Sequence, residues 1–167
     1  YTLSSGTHLL TVNQKPVNIT GTRTYDATAI TLPTDLSIGG LVGGESISLT
    51  GQGSIADKNV GAGKTITLNT LTLNDGANPT HLASNYTFTG GTHTFDVTKR
   101  PLTFNGTKVY DGNTTVSPSE LTTITNLAGG ETVVFSGSGS VTSANVQSGQ
   151  SISNGTLSIN DGTGLAS

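Results

Sequence analysis

The chain carries nearly the same text twice, and that restricts it to a small module used in tandem. Tyr1-Thr2, Gly6-Thr7-His8 and Pro16 return as Tyr86-Thr87, Gly91-Thr92-His93 and Pro101, a spacing of 85. Gly21-Thr22 and Tyr25-Asp26 return at the same spacing as Gly106-Thr107 and Tyr110-Asp111. Gly43-Gly44-Glu45 returns as Gly129-Gly130-Glu131, now at a spacing of 86. Asn59-Val60, Thr70-Leu71 and Asn74-Asp75-Gly76 follow as Asn145-Val146, Thr156-Leu157 and Asn160-Asp161-Gly162. A period this long is a whole domain rather than one rung of a solenoid. Tandem copies of one domain serve reach or multivalency more often than chemistry.

A module of roughly 80 residues can fold alone, but on a thin core. Only 10% of the residues are charged and the net charge is −3, so no basic surface awaits nucleic acid or anionic lipid. Gly, Thr, Ser and Asn fill the space that Lys and Glu take elsewhere. There is no Cys, Met or Trp. Without Cys there is no disulfide frame, zinc thiolate site or thiol nucleophile. That fits a bacterial surface protein exported unfolded. No apolar run approaches the length of a membrane-spanning helix, and no membrane insertion is expected.

Apolar and hydroxyl residues alternate through Ser46-Ile47-Ser48-Leu49-Thr50, Thr70-Leu71-Thr72-Leu73 and Thr94-Phe95-Asp96-Val97-Thr98. The second copy repeats the pattern at Thr132-Val133-Val134-Phe135-Ser136 and Thr156-Leu157-Ser158-Ile159-Asn160. Period two buries one face of a strand and leaves the other in solvent. The pattern predicts an all-β chain of two tandem antiparallel β-sandwich modules, Ig-like. A β-grasp-like sheet with one short helix is the alternative. The helix signal is Ser117-Pro118-Ser119-Glu120, with Pro at a first helical position and Glu able to close a capping box. Leu32-Pro33-Thr34-Asp35 stands there in the first copy and lacks the capping hydroxyl. Asn74-Asp75-Gly76 and Asn160-Asp161-Gly162 read as hairpin turns.

Lys99-Arg100-Pro101, matching Gln14-Lys15-Pro16, marks the module boundary. The expected division is 1–16, the closing strand of an upstream repeat; 17–100, a first repeat; and 101–167, a second repeat without its closing strand. The chain thus reads as a piece of a longer array. No Gly-Ser linker separates the copies, which suggests a semi-rigid rod.

Thr107-Lys108-Val109-Tyr110-Asp111-Gly112, followed by Ala128-Gly129-Gly130-Glu131, resembles the YDG repeat of large bacterial surface proteins. Ala56-Asp57-Lys58-Asn59-Val60-Gly61-Ala62-Gly63-Lys64 and Ser84-Asn85-Tyr86-Thr87 of the first copy add to the resemblance, which spans nearly the whole chain. The first copy departs with Tyr25-Asp26-Ala27 and with an insertion around Asn78-Pro79-Thr80-His81. The resemblance implies a stalk repeat of a filamentous-haemagglutinin-like adhesin of Gram-negative bacteria, secreted by a two-partner system to the cell surface. It implies no catalytic residue. Neighbouring repeats of the same adhesin are the implied partners, with a host receptor or glycan as the alternative. The structural motif is Tyr25, Asp26, Tyr110, Asp111 and Gly112. Each Tyr is expected to bury its ring, each Asp to close an Asx turn, and Gly to take a positive φ.

Other chemistry finds little support. The repeated carboxylates Asp26, Glu45 and Asp75 (Asp111, Glu131 and Asp161) form no DxDxDG loop, so calcium would have to draw ligands from separate loops. His8 and His93 share a repeat position but have no second His or Cys at ligand spacing, and a strand-surface role is expected of them. No nucleophile elbow accompanies the abundant Ser. No metal, cofactor or catalytic activity is expected. No Lys occupies the same position in both copies, so the sequence offers no shared isopeptide cross-link. Asn18, Asn85, Asn105, Asn113 and Asn154 begin sequons; chance supplies many in so Asn- and Thr-rich a chain, and glycosylation at such sites of an exported adhesin is the alternative. Few aromatics argue against a sugar-stacking platform, and turns interrupt any Thr ladder of the ice-binding kind. One consequence of the repeat register remains. Residues 1–15 correspond to 86–100, and the register predicts that they add as a strand to another molecule; the alternative is that module boundaries lie near Ser84-Asn85, with each such strand packing into the module that follows it.

Overall fold

The computed structural model describes residues 6–162. Tyr1 and Thr2, the sequence counterparts of Tyr86 and Thr87, lie outside the described residues, as does Ser167. The protein is all-β. The first copy supplies β1 (Lys15–Pro16), β2 (Asn18–Thr24), β3 (Ile30–Thr31), β4 (Leu36–Gly39), β5 (Ser48–Thr50), β6 (Gly53–Ser54), β7 (Gly61–Thr65), β8 (Thr72–Asn74), β9 (Tyr86–Thr87) and β10 (His93–Thr98). The second supplies β11 (Thr103–Gly106), β12 (Thr115–Val116), β13 (Leu121–Thr125), β14 (Val133–Ser136), β15 (Gly139–Ser140) and β16 (Ser158–Asp161).

Three strand pairs occur in both copies at matching positions. β2 pairs with β4 and β11 with β13, placing Ile19 opposite Ile38 and Phe104 opposite Ile124. β3 pairs with β6 and β12 with β15, placing Thr31 opposite Gly53 and Val116 opposite Gly139. β5 pairs with β8 and β14 with β16, placing Leu49 opposite Leu73 and Phe135 opposite Ile159. All six are antiparallel. Pairing departs from that rule at β1 and β9, which run parallel.

The first copy has more. Its β4 and β2 continue into a four-stranded sheet in the order β4-β2-β10-β7. Ile19 N–H donates to the Thr92 carbonyl at 3.0 Å and Tyr25 N–H to the Thr98 carbonyl at 2.9 Å. These bonds advance together along the two strands, so β2 and β10 are parallel. Alternation puts Ile19, Phe95 and Val97 inward, each at most 3% exposed, while their Thr and Asp neighbours face solvent.

By compactness the chain forms two units. One is built from Ile30–Ala56, Gly63–Phe95 and the chain up to Thr22; the other from Arg23–Ala29, Asp57–Ala62 and the chain from Asp96 onward. The second unit therefore takes two loops from the first copy.

Helix is limited, among the described residues, to three 3-10 turns: Pro33–Asp35, Ala83–Asn85 and Pro118–Glu120. The turn predicted at Ser117 is thus present in both copies. Its lock is the carboxylate rather than a capping hydroxyl. Ser117 N–H donates to Glu120 Oε2 at 2.6 Å, and Leu32 N–H to Asp35 Oδ2 at 3.4 Å. The Asn-Asp-Gly segments are not hairpin turns. Asn74 ends β8 and Asn160-Asp161 end β16, each in a pair whose partner strand lies far back in sequence. Gly76 and Gly162 serve close approach, since a Cβ there would meet the Ser46 carbonyl oxygen at 1.8 Å and the Thr132 Oγ1 at 2.4 Å.

Candidate functional site at the repeated tyrosines

Tyr25 follows β2 and leaves it in the second unit, where its residue is 9% exposed. Its hydroxyl donates to Glu131 Oε1 at 2.6 Å. Lys58 Nζ donates to the same carboxylate oxygen and stands 5.8 Å from the centroid of the Tyr25 ring. Lys58, from the loop before β7, thus meets the second copy's Gly-Gly-Glu segment. The Lys58 ammonium, and after it the Tyr25 hydroxyl, hold the Glu131 carboxyl below the usual carboxylate range. Glu131 in turn raises Lys58, while burial first and Glu131 second raise the Tyr25 phenol. The trio therefore holds one carboxylate, one ammonium and one neutral phenol at neutral pH.

Arg100 closes the same region. Its Nε and an Nη donate to the carbonyl and the side-chain oxygen of Asn126 at 2.6 and 2.7 Å, and the other Nη donates to the Tyr25 carbonyl at 3.3 Å. Asn126 holds φ at +70°, a left-handed conformation that Asn tolerates, and donates to the Pro101 carbonyl at 2.7 Å. Between these residues lies a cavity of about 400 Å³. Its walls include Leu102, Phe104, Leu127, Val133, Phe135 and Leu157, with Lys99, Arg100 and Glu131 as the charged groups that line it.

The Gly-Gly-Glu carboxylate of the first copy also accepts from a tyrosine, but a different one. Tyr86 OH donates to Glu45 Oε2 at 2.5 Å and accepts Val42 N–H at 3.0 Å. The glutamate raises the Tyr86 phenol.

The motif aspartates both close Asx turns. Thr28 N–H donates to Asp26 Oδ1 and Asn113 N–H to Asp111 Oδ1, each at 3.0 Å. A cation three residues upstream pairs with each: Arg23 Nε lies 3.1 Å from Asp26 and Lys108 Nζ 2.6 Å from Asp111. Lys108 holds Asp111 below its ordinary pKa. Gly112 takes φ +80°, and Ala27 takes the same left-handed conformation at +67° despite its Cβ.

The expectation of two buried motif tyrosines fails at Tyr110, which is 63% exposed. The reason is the strand alongside. β2 runs to Thr24 and Tyr25 is held by Thr98 of the adjacent segment, whereas β11 stops at Gly106 and leaves Tyr110 beyond its end. Ala144 also stands where the first copy has Lys58.

His93 is more than a surface residue. Its Nδ1 accepts Ile19 N–H at 3.3 Å and its Nε2 donates to the Phe88 carbonyl at 3.1 Å, so it ties β10 to β2. His8 is exposed. Ser46 Oγ lies 3.3 Å from His81 Nδ1, but that nitrogen already accepts Ser46 N–H at 3.0 Å, which takes the lone pair a general base would use. Among the described residues no group of three His, Cys, Asp or Glu converges on a metal position. No helix there is long and apolar enough to cross a membrane.

The sequence placed Glu131 among the repeated carboxylates, Lys58 in a motif of the resemblance and Arg100 at the module boundary, but it gave none of them a contact and did not single out Asn126. The repeated Gly-Gly-Glu was the available signal, because a charge kept in both copies of so uncharged a chain invites a partner. A family model of the YDG domain matches residues 10–94 and again 98–165. No curated protein matches the chain, and no solved structure does.

Proposed function

The chain belongs to the YDG domain family, and we propose that it is a non-catalytic structural repeat, a stalk element of a secreted surface adhesin of a Gram-negative bacterium. The observation that carries this reading is the reuse of the same three strand pairs in both copies. Repetition of a framework supports a role in extension. The sparse charge and absent Cys support passage across an envelope before folding, as two-partner secretion requires. Its partners on this reading are neighbouring repeats of the same adhesin. The test uses the purified chain on glycan arrays and host-cell monolayers, and antibodies to it on intact bacteria. Surface labelling without saturable ligand binding is the expected result. Saturable binding to one glycan class or one host protein would replace the stalk reading with a recognition module, and labelling only after cell lysis would refute surface display.

A further inference from the structure

The first copy opens and closes on segments that run side by side in the same direction. Gln14 Nε2 donates to the Ser84 carbonyl at 3.0 Å. Lys15 and Pro16 then pair with Tyr86 and Thr87 in parallel register. Val17 N–H donates to the Thr87 carbonyl at 2.9 Å and Ile19 N–H to the Thr92 carbonyl at 3.0 Å. Thr92 N–H returns a bond to Asn18 Oδ1 at 2.8 Å. Farther along, Thr98 Oγ1 donates to the Arg23 carbonyl at 3.3 Å and Tyr25 N–H to the Thr98 carbonyl at 2.9 Å. Beneath this ladder Val17, Ile19, Phe95 and Val97 are buried.

The common direction decides how this ladder meets a pull. The chain enters it at Gln14 and leaves it at Thr98, and the parallel arrangement puts those two points at opposite ends. Tension along the chain therefore slides residues 14–25 past residues 84–98. The bonds between them are loaded together, and the buried apolar contacts have to shear at the same moment. Opening and closing strands in antiparallel register would instead have both points at one end, and would be peeled apart bond by bond.

We propose that this parallel ladder is a shear clamp, by which the first copy resists unfolding when the chain is pulled along its length. The inference rests on the stalk reading for the source of that tension. Forced unfolding is governed by the barrier to unfolding rather than by equilibrium stability. The clamp therefore makes resistance depend on the direction of the pull, which a core acting through its stability alone does not. Asn18 and Thr98 belong to the clamp through side-chain bonds to the backbone of the opposite run, at exposed positions.

The test is single-molecule force spectroscopy on the full chain. The chain has no Cys, so a pair of introduced cysteines sets where the force is applied. Asn13→Cys with Lys99→Cys loads the ladder lengthwise, and Asn13→Cys with Ser84→Cys peels it from the end where both runs begin. All three sites are exposed. Because the bonds share the load in one geometry and meet it singly in the other, the lengthwise pair is expected to unfold at no less than about twice the force of the peeling pair. Adding Asn18→Ala and Thr98→Ala is expected to lower the lengthwise force. Equal forces in the two directions overturn the proposal, and so does a lengthwise force that the two alanine substitutions leave unmoved. The forces are read on the purified chain, so the result stands whether or not intact bacteria are labelled at their surface.

Discussion

Val17 and Ile19 are fully buried beside β2, whereas Leu102 and Phe104, at the same places in the second copy, remain half-buried beside β11. The two segments are similar in sequence and share their antiparallel partner, β4 in one case and β13 in the other. What separates them is the strand on the other side. With β10 in place, β2 extends over seven residues and delivers Tyr25 to Glu131; β11, which among the described residues pairs with β13 alone, has four residues, and Tyr110 faces solvent. Local sequence chose which residues are strand-forming, but the neighbouring strand decided how far the strand runs.

The comparison can be broken most sharply in the core. Phe95→Ala removes a fully buried ring and is expected to cost about 3–5 kcal/mol in denaturant unfolding, and Phe104→Ala clearly less because its ring is half-exposed. Equal losses at the two sites would show that the second core is closed in solution.

The tyrosines give the next contrast. Tyr25→Ala is expected to lower stability by about 3 kcal/mol, and Tyr110→Ala to stay within about 0.5 kcal/mol of the natural chain. A large loss at Tyr110 would mean that its exposure is not the state in solution.

Thr31 and Val116 offer a natural substitution at one position. Thr31 is fully buried and its hydroxyl has no hydrogen-bond partner among the described residues, while Val116 is 4% exposed. Thr31→Val is expected to stabilise the chain by about 1 kcal/mol, read as a shifted denaturation midpoint at unchanged slope. Destabilisation would indicate that a bound water satisfies the hydroxyl.

The smallest effect lies in the Tyr25–Lys58–Glu131 trio. The folded Glu131 titrates below its unfolded value, so its contribution is present above the unfolded value and lost as pH falls through the folded one. Lys58 titrates above its unfolded value, so its contribution is complete below that value and lost only as strongly alkaline pH passes the folded one. Glu131→Gln is expected to flatten the acid limb of Tm against pH below the ordinary carboxylate range, and Lys58→Ala to remove the salt dependence of that limb. An acid limb identical in the natural chain and Glu131→Gln would remove the trio from the stability of the second unit.

Much was legible in the residues. Alternation of Ile, Val, Leu and Phe with Thr and Ser marked the strands because each strand needs one buried and one wet face. The repeat spacing foretold the shared pairs, since equal side chains at equal intervals bury against equal partners. The Asx turns at Asp26 and Asp111 were legible because they close within two residues. The use of Gly76 and Gly162 was not, because approach of Ser46 and Thr132 is set by the sheet and not by the turn-like tripeptide.

Sequence by itself therefore determined the all-β class, the two copies and the short-range turns, all of which rest on contacts between residues near in sequence or equivalent by repeat. Only the tertiary structure decided that Glu131 meets Tyr25 and Lys58 while Glu45 meets Tyr86, and that Tyr25 is buried while Tyr110 is not. Those outcomes depend on which distant strand lies alongside, and two nearly identical motifs cannot encode that difference in their own residues.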